Sequence, residues 1–321
     1  MPENTPQTQE ASPVSISQSE LIRLAGPARL IALDVLRVNS LTTGAYVSHF
    51  RGRGMEFDES RPYQPGDDPR NIDWRVTARS TQAYTKLFRE ERERPVLVMV
   101  DLSSTMHFAT RGAYKSVNAS RAAALLAWAA HHRGDRLGGL IFGDTAQREV
   151  KPRLGREAAL RFLHELVAHV DWPGRGMPAA GTAEAPLAHA MAALRRVARP
   201  GTLVIVLSDF RNFSRAAQAH LAGVARHSEV LAVFVSDPLE RHSPPPGRYR
   251  VQGGEGELSI ETFARAARDD YASRFIQRRE ALDAFCRRYR VHLLPLSTDQ
   301  DPVTVLKEAL GPRPRPQLTR A

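Results

Sequence analysis

Read for its apolar positions, the chain changes character near residue 95. PVLVMVD (95–101) is an unbroken apolar run closed by a carboxylate, the pattern of a strand buried on both faces of a parallel sheet. TLVIVLSDF (202–210) repeats that pattern, and RLGGLIF (136–142), EVLAVFV (229–235) and RVHLLPL (290–296) are of the same kind. Residues 146–151 are placed to pair beside 136–142. Between these runs the apolar period lengthens, predicting helices over 115–132, 156–169, 185–198, 214–226, 262–289 and 302–310. RYRVQGGEGELSI alternates around a Gly-rich turn and predicts a hairpin outside the central sheet. Strands spaced by helices in this order predict an α/β domain: a three-layer, open, mostly parallel sheet with right-handed crossovers. Sites in such folds lie beyond the carboxyl ends of the strands, which gives Asp101 and Asp209 their interest.

The first 94 residues read differently. Residues 1–16 are polar and rich in Pro, Thr and Gln, the composition of a disordered tail. Ser19 can cap a helix over 19–38, which Gly26-Pro27 kinks or divides. The stretch from Ser48 to Pro95 is dense in Gly, Pro, Arg and Asp, yet it carries Phe57, Tyr63, Trp74 and Tyr84, too many large aromatics for a linker. The expected organisation is a tail at 1–16, an N-terminal helix and Gly/Arg/Asp-rich lobe at 17–94, the α/β domain at 95–311 and a second disordered tail at 312–321.

Composition narrows the function classes. The formal charge is +10, but only four of 45 basic residues are lysines, so the excess is a surplus of arginine. Arg51–Arg94 carries ten basic against nine acidic residues, and 262–290 carries eight against four on a long helix. A nucleic-acid binder concentrates its charge; here it is dispersed over solvated faces, and nucleic-acid binding stays a minor alternative. No run approaches 18 uncharged apolar residues and no basic-then-apolar leader begins the chain, so the cytoplasm is the expected setting. The lone Cys286 excludes an internal disulfide and a thiolate zinc site, and reads as a buried structural thiol.

The chemistry gathers at strand ends. In Asp101-Leu102-Ser103-Ser104-Thr105, alternate side chains at 101, 103 and 105 can face one cavity. One carboxylate and two hydroxyls are hard oxygen ligands of the type magnesium takes. Thr182, after Gly181 and before the helix near Pro186, adds a hydroxyl from a neighbouring loop, and Ser208-Asp209 brings a second carboxylate. The alternative is plain: Asp101 can cap its own loop and Thr182 can cap a helix, with no ion involved.

Asp101-x-Ser103-x-Thr105, Thr182 and Asp209 resemble the metal-ion-dependent adhesion site of von Willebrand factor A domains, over roughly residues 95–311. The resemblance implies that these five residues hold Mg2+, with Mn2+ as a substitute; Thr105 stands where serine is usual. The preceding stretch is similar to a bacterial and archaeal family catalogued as domain of unknown function number 58. It is carried by Gly54-Met55-Glu56-Phe57, Arg61-x-Tyr63-x-x-Gly66-Asp67-Asp68-x-Arg70-x-Ile72-Asp73-Trp74, Thr77-Ala78-Arg79 and Phe88-x-Glu90. Members of that family are often encoded beside MoxR-type AAA+ ATPases. The resemblance therefore implies a non-enzymatic adaptor for such an ATPase, or for a client shared with it.

Enzyme readings find little. No phosphate-binding Gly-x-x-x-x-Gly-Lys loop, Gly-x-Ser-x-Gly elbow or His-Glu-x-x-His helix occurs. His131-His132 are adjacent rather than one turn apart. Asp67, Asp68 and Asp73 can imitate the acidic centre of a metal-dependent hydrolase, the enzyme alternative, or can lock the lobe by bonding to backbone and to Arg61, Arg70, Arg75 and Arg79, with Tyr63 and Trp74 packed over the turn.

Overall fold

A computed structural model describes residues 12–33, 55–64, 67–90, 94–173, 186–242, 244–253 and 256–311. Thr182, Gly181, Gly66, Gly54, Gly254 and the 312–321 tail lie outside the described residues. The chain divides into two compact units, residues 43–93 and the remainder.

The larger unit is built on six strands: β3 (Val96–Asp101), β4 (Leu137–Phe142), β5 (Gln147–Arg153), β6 (Leu203–Ser208), β7 (Glu229–Ser236) and β10 (His292–Ser297). Their order across the sheet is β10-β7-β6-β3-β4-β5, and every pairing is parallel except β4 with β5. The apolar runs end up inside because helices cover both faces. Alternation within β3 divides its side chains: Val96, Val98 and Val100 join one core with helices α2 (Lys115–Arg133), α3 (Arg156–Ala168) and α7 (Pro302–Leu310). Leu97 and Met99 join the other, with α4 (Pro186–Val197), α5 (Arg215–Ala225) and α6 (Arg265–Tyr289). This is the expected three-layer α/β arrangement, and it is compatible with the von Willebrand factor A type. Strands β8 (Arg248–Gly253) and β9 (Gly256–Glu261) pair antiparallel as a separate two-stranded sheet, as the alternation predicts.

Helix α2 shows why the amino end of the chain belongs here. Its residues are buried from Lys115 to Ala130 with one partly buried exception, Arg121, whereas the sequence predicts a single apolar face. Helix α1 (Gln18–Arg23) and the turn at Ala25–Ala28 cover what would be its outer side. The Trp128 indole N–H donates to the Leu21 carbonyl at 3.0 Å, Arg121 pairs with Glu20 at 2.7 Å, and His132 meets the Ala25 carbonyl at 2.8 Å. Two sequence expectations change accordingly. The predicted helix 19–38 is divided at Leu24, with residues beyond 33 outside the described set, and its described part belongs to the larger unit. Residues 12–16, expected within a disordered tail, are also held: the Pro13 carbonyl accepts the Tyr114 amide at 2.8 Å, and the Ser12 carbonyl accepts from Arg121 at 3.0 Å. These backbone groups exchange water for fixed donors on α2, which is what orders them.

Cys286 sits on the inner face of α6, and burial pushes its thiol up to about 12. A thiol with so little thiolate is inert. Native protein at pH 8 is expected to leave Cys286 unlabelled by iodoacetamide over a period in which urea-unfolded protein reacts fully. Equal labelling rates, followed by mass spectrometry, would contradict its placement.

The smaller unit holds β1 (Met55–Pro62) and β2 (Tyr84–Glu90), paired antiparallel with a register shift between Phe57 and Glu59. The mixed charge and aromatics of these two strands give no local pattern that predicts their pairing. Between its strands lie a 3-10 turn at Pro69–Asn71 and a one-turn helix at Trp74–Thr77.

Candidate metal centre

Strand order reverses around β3: the chain crosses to β4 on one side and later returns to β6 on the other. Such a switch point opens a crevice beyond the carboxyl ends. Asp101 closes β3 and Asp209 follows β6 directly, so both carboxylates stand at this edge, as the sequence implies. They line one small pocket of about 70 Å³ together with Ser103, Ser104, Thr105, Asp144, Leu187, Arg211 and Asn212.

Local geometry explains how each side chain is held. Asp101 Oδ1 accepts the Ser103 amide at 2.9 Å and Oδ2 accepts the Ser208 hydroxyl at 2.6 Å. A 3-10 turn at Ser104–Met106 follows, anchored by the buried Met106 and tied at 2.8 Å from the Ser104 amide to Asp144. That turn brings the Ser103 and Thr105 hydroxyls within 3.3 Å of each other. On β6, the Ser208 hydroxyl also accepts the Phe210 amide at 3.0 Å. Phe210 has φ 49°, a left-handed conformation that costs a non-glycine residue about 1–3 kcal/mol. Its fully buried ring, edge-on to Phe213, offsets that cost.

The two carboxylates are electrostatically unequal. Burial and the neighbouring charge of Asp209 push Asp101 up to about 6, against the hydrogen bonds from Ser103 and Ser208. Burial also opposes ionisation of Asp209, but the Lys115 ammonium, 2.7 Å from its Oδ2, outweighs this and holds Asp209 below the usual carboxylate range. Lys115 further donates to Glu240 at 3.1 Å, and Glu240 accepts from the half-exposed Arg211 at 2.7 Å.

The donors suit a hard divalent ion: the Asp101 and Asp209 carboxylates and the Ser103 and Thr105 hydroxyls line the pocket, with Asp144 and Ser104 beside them, and the repulsion that adds to burial in raising Asp101 is what a cation there relieves. Among the described residues, no group of three or more His, Cys, Asp or Glu side chains has metal-holding geometry, so any ion here depends on hydroxyls and water. Thr182, the fifth expected residue, lies outside the described residues. Four of the five sequence candidates can therefore be placed, and all four line the same pocket.

Several participants went unnoticed in the sequence. Lys115, Glu240 and Asp144 are reached from other segments, and Arg211, two residues past Asp209, belongs to no motif. Asp237 had one: VFVSD ends β7 as VLSD ends β6. Fully buried, Asp237 accepts the Thr110 amide and hydroxyl at 2.8 and 2.6 Å, the Thr298 hydroxyl at 2.6 Å and the Leu239 amide at 2.8 Å.

The acidic stretch of the smaller unit is committed elsewhere. Asp67 accepts from Arg61 at 2.7 Å and from the Gln64 amide, Asp68 caps the turn through the Arg70 amide, and Asp73 accepts the Arg75 and Val76 amides and the Ser60 hydroxyl. Trp74, expected over a turn whose Gly66 lies outside the described residues, is 70% exposed at the start of its short helix. His107 bridges the Ser116 hydroxyl and the Asp171 carbonyl, and His131 and His132 rest against Trp128. No described helix is long and apolar enough to cross a membrane.

Comparison with known proteins places the chain in a family without naming a function. An uncharacterized protein of Mycobacterium tuberculosis strain H37Rv is 34% identical over 284 residues, covering 87% of this chain and 86% of its own. A counterpart in Mycobacterium bovis matches to the same extent, and an uncharacterized Mycobacterium avium protein is 33% identical over 119 residues, 36% of this chain and 68% of its own. The conserved hypothetical protein BatB from Bacteroides thetaiotaomicron superposes with a TM-score of 0.43 at 14% identity, covering 67% of this chain and 96% of its own. The family described as "Protein of unknown function DUF58" matches residues 59–281, more than half of the chain, and the chain belongs to that family.

Proposed function

We propose that the carboxyl edge of the sheet is an ion-dependent docking site for another protein, and that the chain acts as a non-enzymatic adaptor. Asp101, Ser103, Thr105 and Asp209 hold Mg2+, or Mn2+ in its place, directly or through water, and Thr182 is the fifth residue of the set. A divalent ion held by few protein charges supplies an open coordination position for an acidic side chain of the partner. The observation that carries this reading is the convergence of those four oxygen-bearing residues, from two separate segments, on one pocket. A MoxR-type AAA+ ATPase, or a client shared with it, is the partner that the family resemblance favours. Phe108, exposed beside the 3-10 turn, offers the apolar contact; Met106 is buried and serves only to anchor the turn. The hydrolase alternative loses its support because Asp67, Asp68 and Asp73 are engaged as caps and ion-pair partners. Nucleic-acid binding draws little support from a sequence in which residues 51–94 carry ten basic against nine acidic side chains.

Titration calorimetry with Mg2+ tests the site. Asp101→Ala is expected to bind at least about tenfold more weakly than the wild type while remaining folded by circular dichroism. In parallel, immobilised wild type with Mg2+ should retain the purified ATPase, while chelator or Asp101→Ala releases it. Equal ion affinity in the two proteins would locate the ion elsewhere, and ATPase retention indifferent to ion and aspartate would move the interface away from this edge.

A further inference from the structure

Lysine is almost never fully buried without a charged partner, because desolvating an ammonium costs several kcal/mol. Lys115, one of four lysines in the chain, is fully buried at the start of α2. Its ammonium lies between two carboxylates, 2.7 Å from Asp209 Oδ2 and 3.1 Å from Glu240 Oε1. A cation therefore already sits on one of the acids assigned to the ion.

Neither end of this arrangement is free to swing aside. The backbone of Lys115 belongs to α2, whose following turns are packed on all sides. Glu240 is fixed by a capping box: it stands three residues after Asp237 on the 238–241 turn, and its Oε2 accepts the Asp237 amide at 3.2 Å. Arg211 and Arg278 approach the same Glu240 carboxylate at 2.7 and 3.7 Å. Lys115 is thus shared between an acid that faces the pocket and an acid that does not line it.

We infer that Lys115 is a resident counter-ion that competes with the divalent cation for Asp209 and keeps the site at low affinity until an anionic ligand arrives. The inference rests on the ion-site reading above. A tethered ammonium beside Asp209 repels an incoming divalent ion at short range, and in a buried setting that repulsion is weakly screened. Glu240 works the other way, drawing part of the ammonium's field away from Asp209. A carboxylate supplied from outside offsets the repulsion, so ion and acidic ligand bind together rather than in sequence. The regulated property is the dependence of the ion on its partner.

Two variants have expected effects of opposite sign, which a purely structural salt bridge does not produce. Mn2+ titration of the full chain is the measurement, with Asp101→Ala as the blank. Lys115→Met removes the competitor and is expected to bind Mn2+ at least about tenfold more tightly than the wild type. Lys115→Gln keeps a hydrogen-bond donor between the two acids and is expected to do the same if the methionine variant does not fold. Glu240→Gln leaves the ammonium's charge to Asp209 and is expected to bind Mn2+ severalfold more weakly. Wild-type or weaker affinity in the folded Lys115 variants overturns the inference and leaves the ion site standing. Unchanged or tighter binding by Glu240→Gln also overturns it. No Mn2+ binding by the wild type or by either Lys115 variant at millimolar ion defeats the ion-site reading itself.

Discussion

Asp237→Ala is expected to cost about 3–5 kcal/mol of unfolding free energy, since it leaves several buried neutral donors without an acceptor at about 1–3 kcal/mol each. The carboxylate has no exposed surface and serves three segments at once: the loop after the 3-10 turn through Thr110, the end of β10 through Thr298, and its own turn through the Leu239 amide. Deleting it strands these donors without water to replace the acceptor. Asp237→Asn, which keeps one carbonyl acceptor, should lose less. Urea unfolding measures both, and a loss below about 1 kcal/mol for the alanine variant would show the network to be dispensable. The same residue sets an acid limit. Burial opposes its ionisation, but the bonds from Thr110 and Thr298 prevail and hold its carboxyl below the usual range. A carboxyl whose pKa is lower in the folded chain contributes stability that is complete above the unfolded value near 4 and is lost as pH falls through the folded one. Stability should therefore decline below about pH 4 in the wild type, and more shallowly in Asp237→Asn.

Trp128→Ala should produce a loss of similar size, about 3–5 kcal/mol, because a large buried indole is removed from a close-packed helix. Its distinctive consequence is local. The indole N–H is bonded to the Leu21 carbonyl, and the ring lies against His131 and His132, of which His132 meets the Ala25 carbonyl. Amide exchange at residues 18–31 is expected to accelerate well beyond the change seen in β3. Trp128→Phe separates the terms, since it keeps most of the packing and forfeits the hydrogen bond, with an expected cost nearer 1–2 kcal/mol. Uniform acceleration of exchange across the whole chain would mean that α1 is not specifically held by this residue.

The elements most visible in the sequence were those whose pattern is both long and local. Runs such as VLVMV and LVIVL, buried on both faces, need no distant information to be read as central strands, and they lie within a residue or two of their expected bounds. The β1–β2 pair escaped because its strands, MEFDESRP and YTKLFRE, mix charge and aromatics in a stretch crowded with Gly and Pro. Helix α2 was read as one-faced because a run of alanines carries little periodic contrast. Only the docking of α1 reveals that its other side is covered too.

The site divides along the same line. Asp101, Ser103 and Thr105 were legible because they share one turn, and Asp209 because it ends a second buried strand. Lys115 and Glu240 were not, since the ammonium reaches acids 94 and 125 positions away, and no periodicity links residues that far apart. By itself the sequence determined the alternation of strand and helix and the edge at which the carboxylates stand, because both follow from local backbone preference and apolar period. Tertiary structure alone decided which charges meet there. Burial makes a lone ammonium or carboxylate costly, so the folded chain brings distant opposite charges together, and that pairing depends on packing rather than on order along the chain.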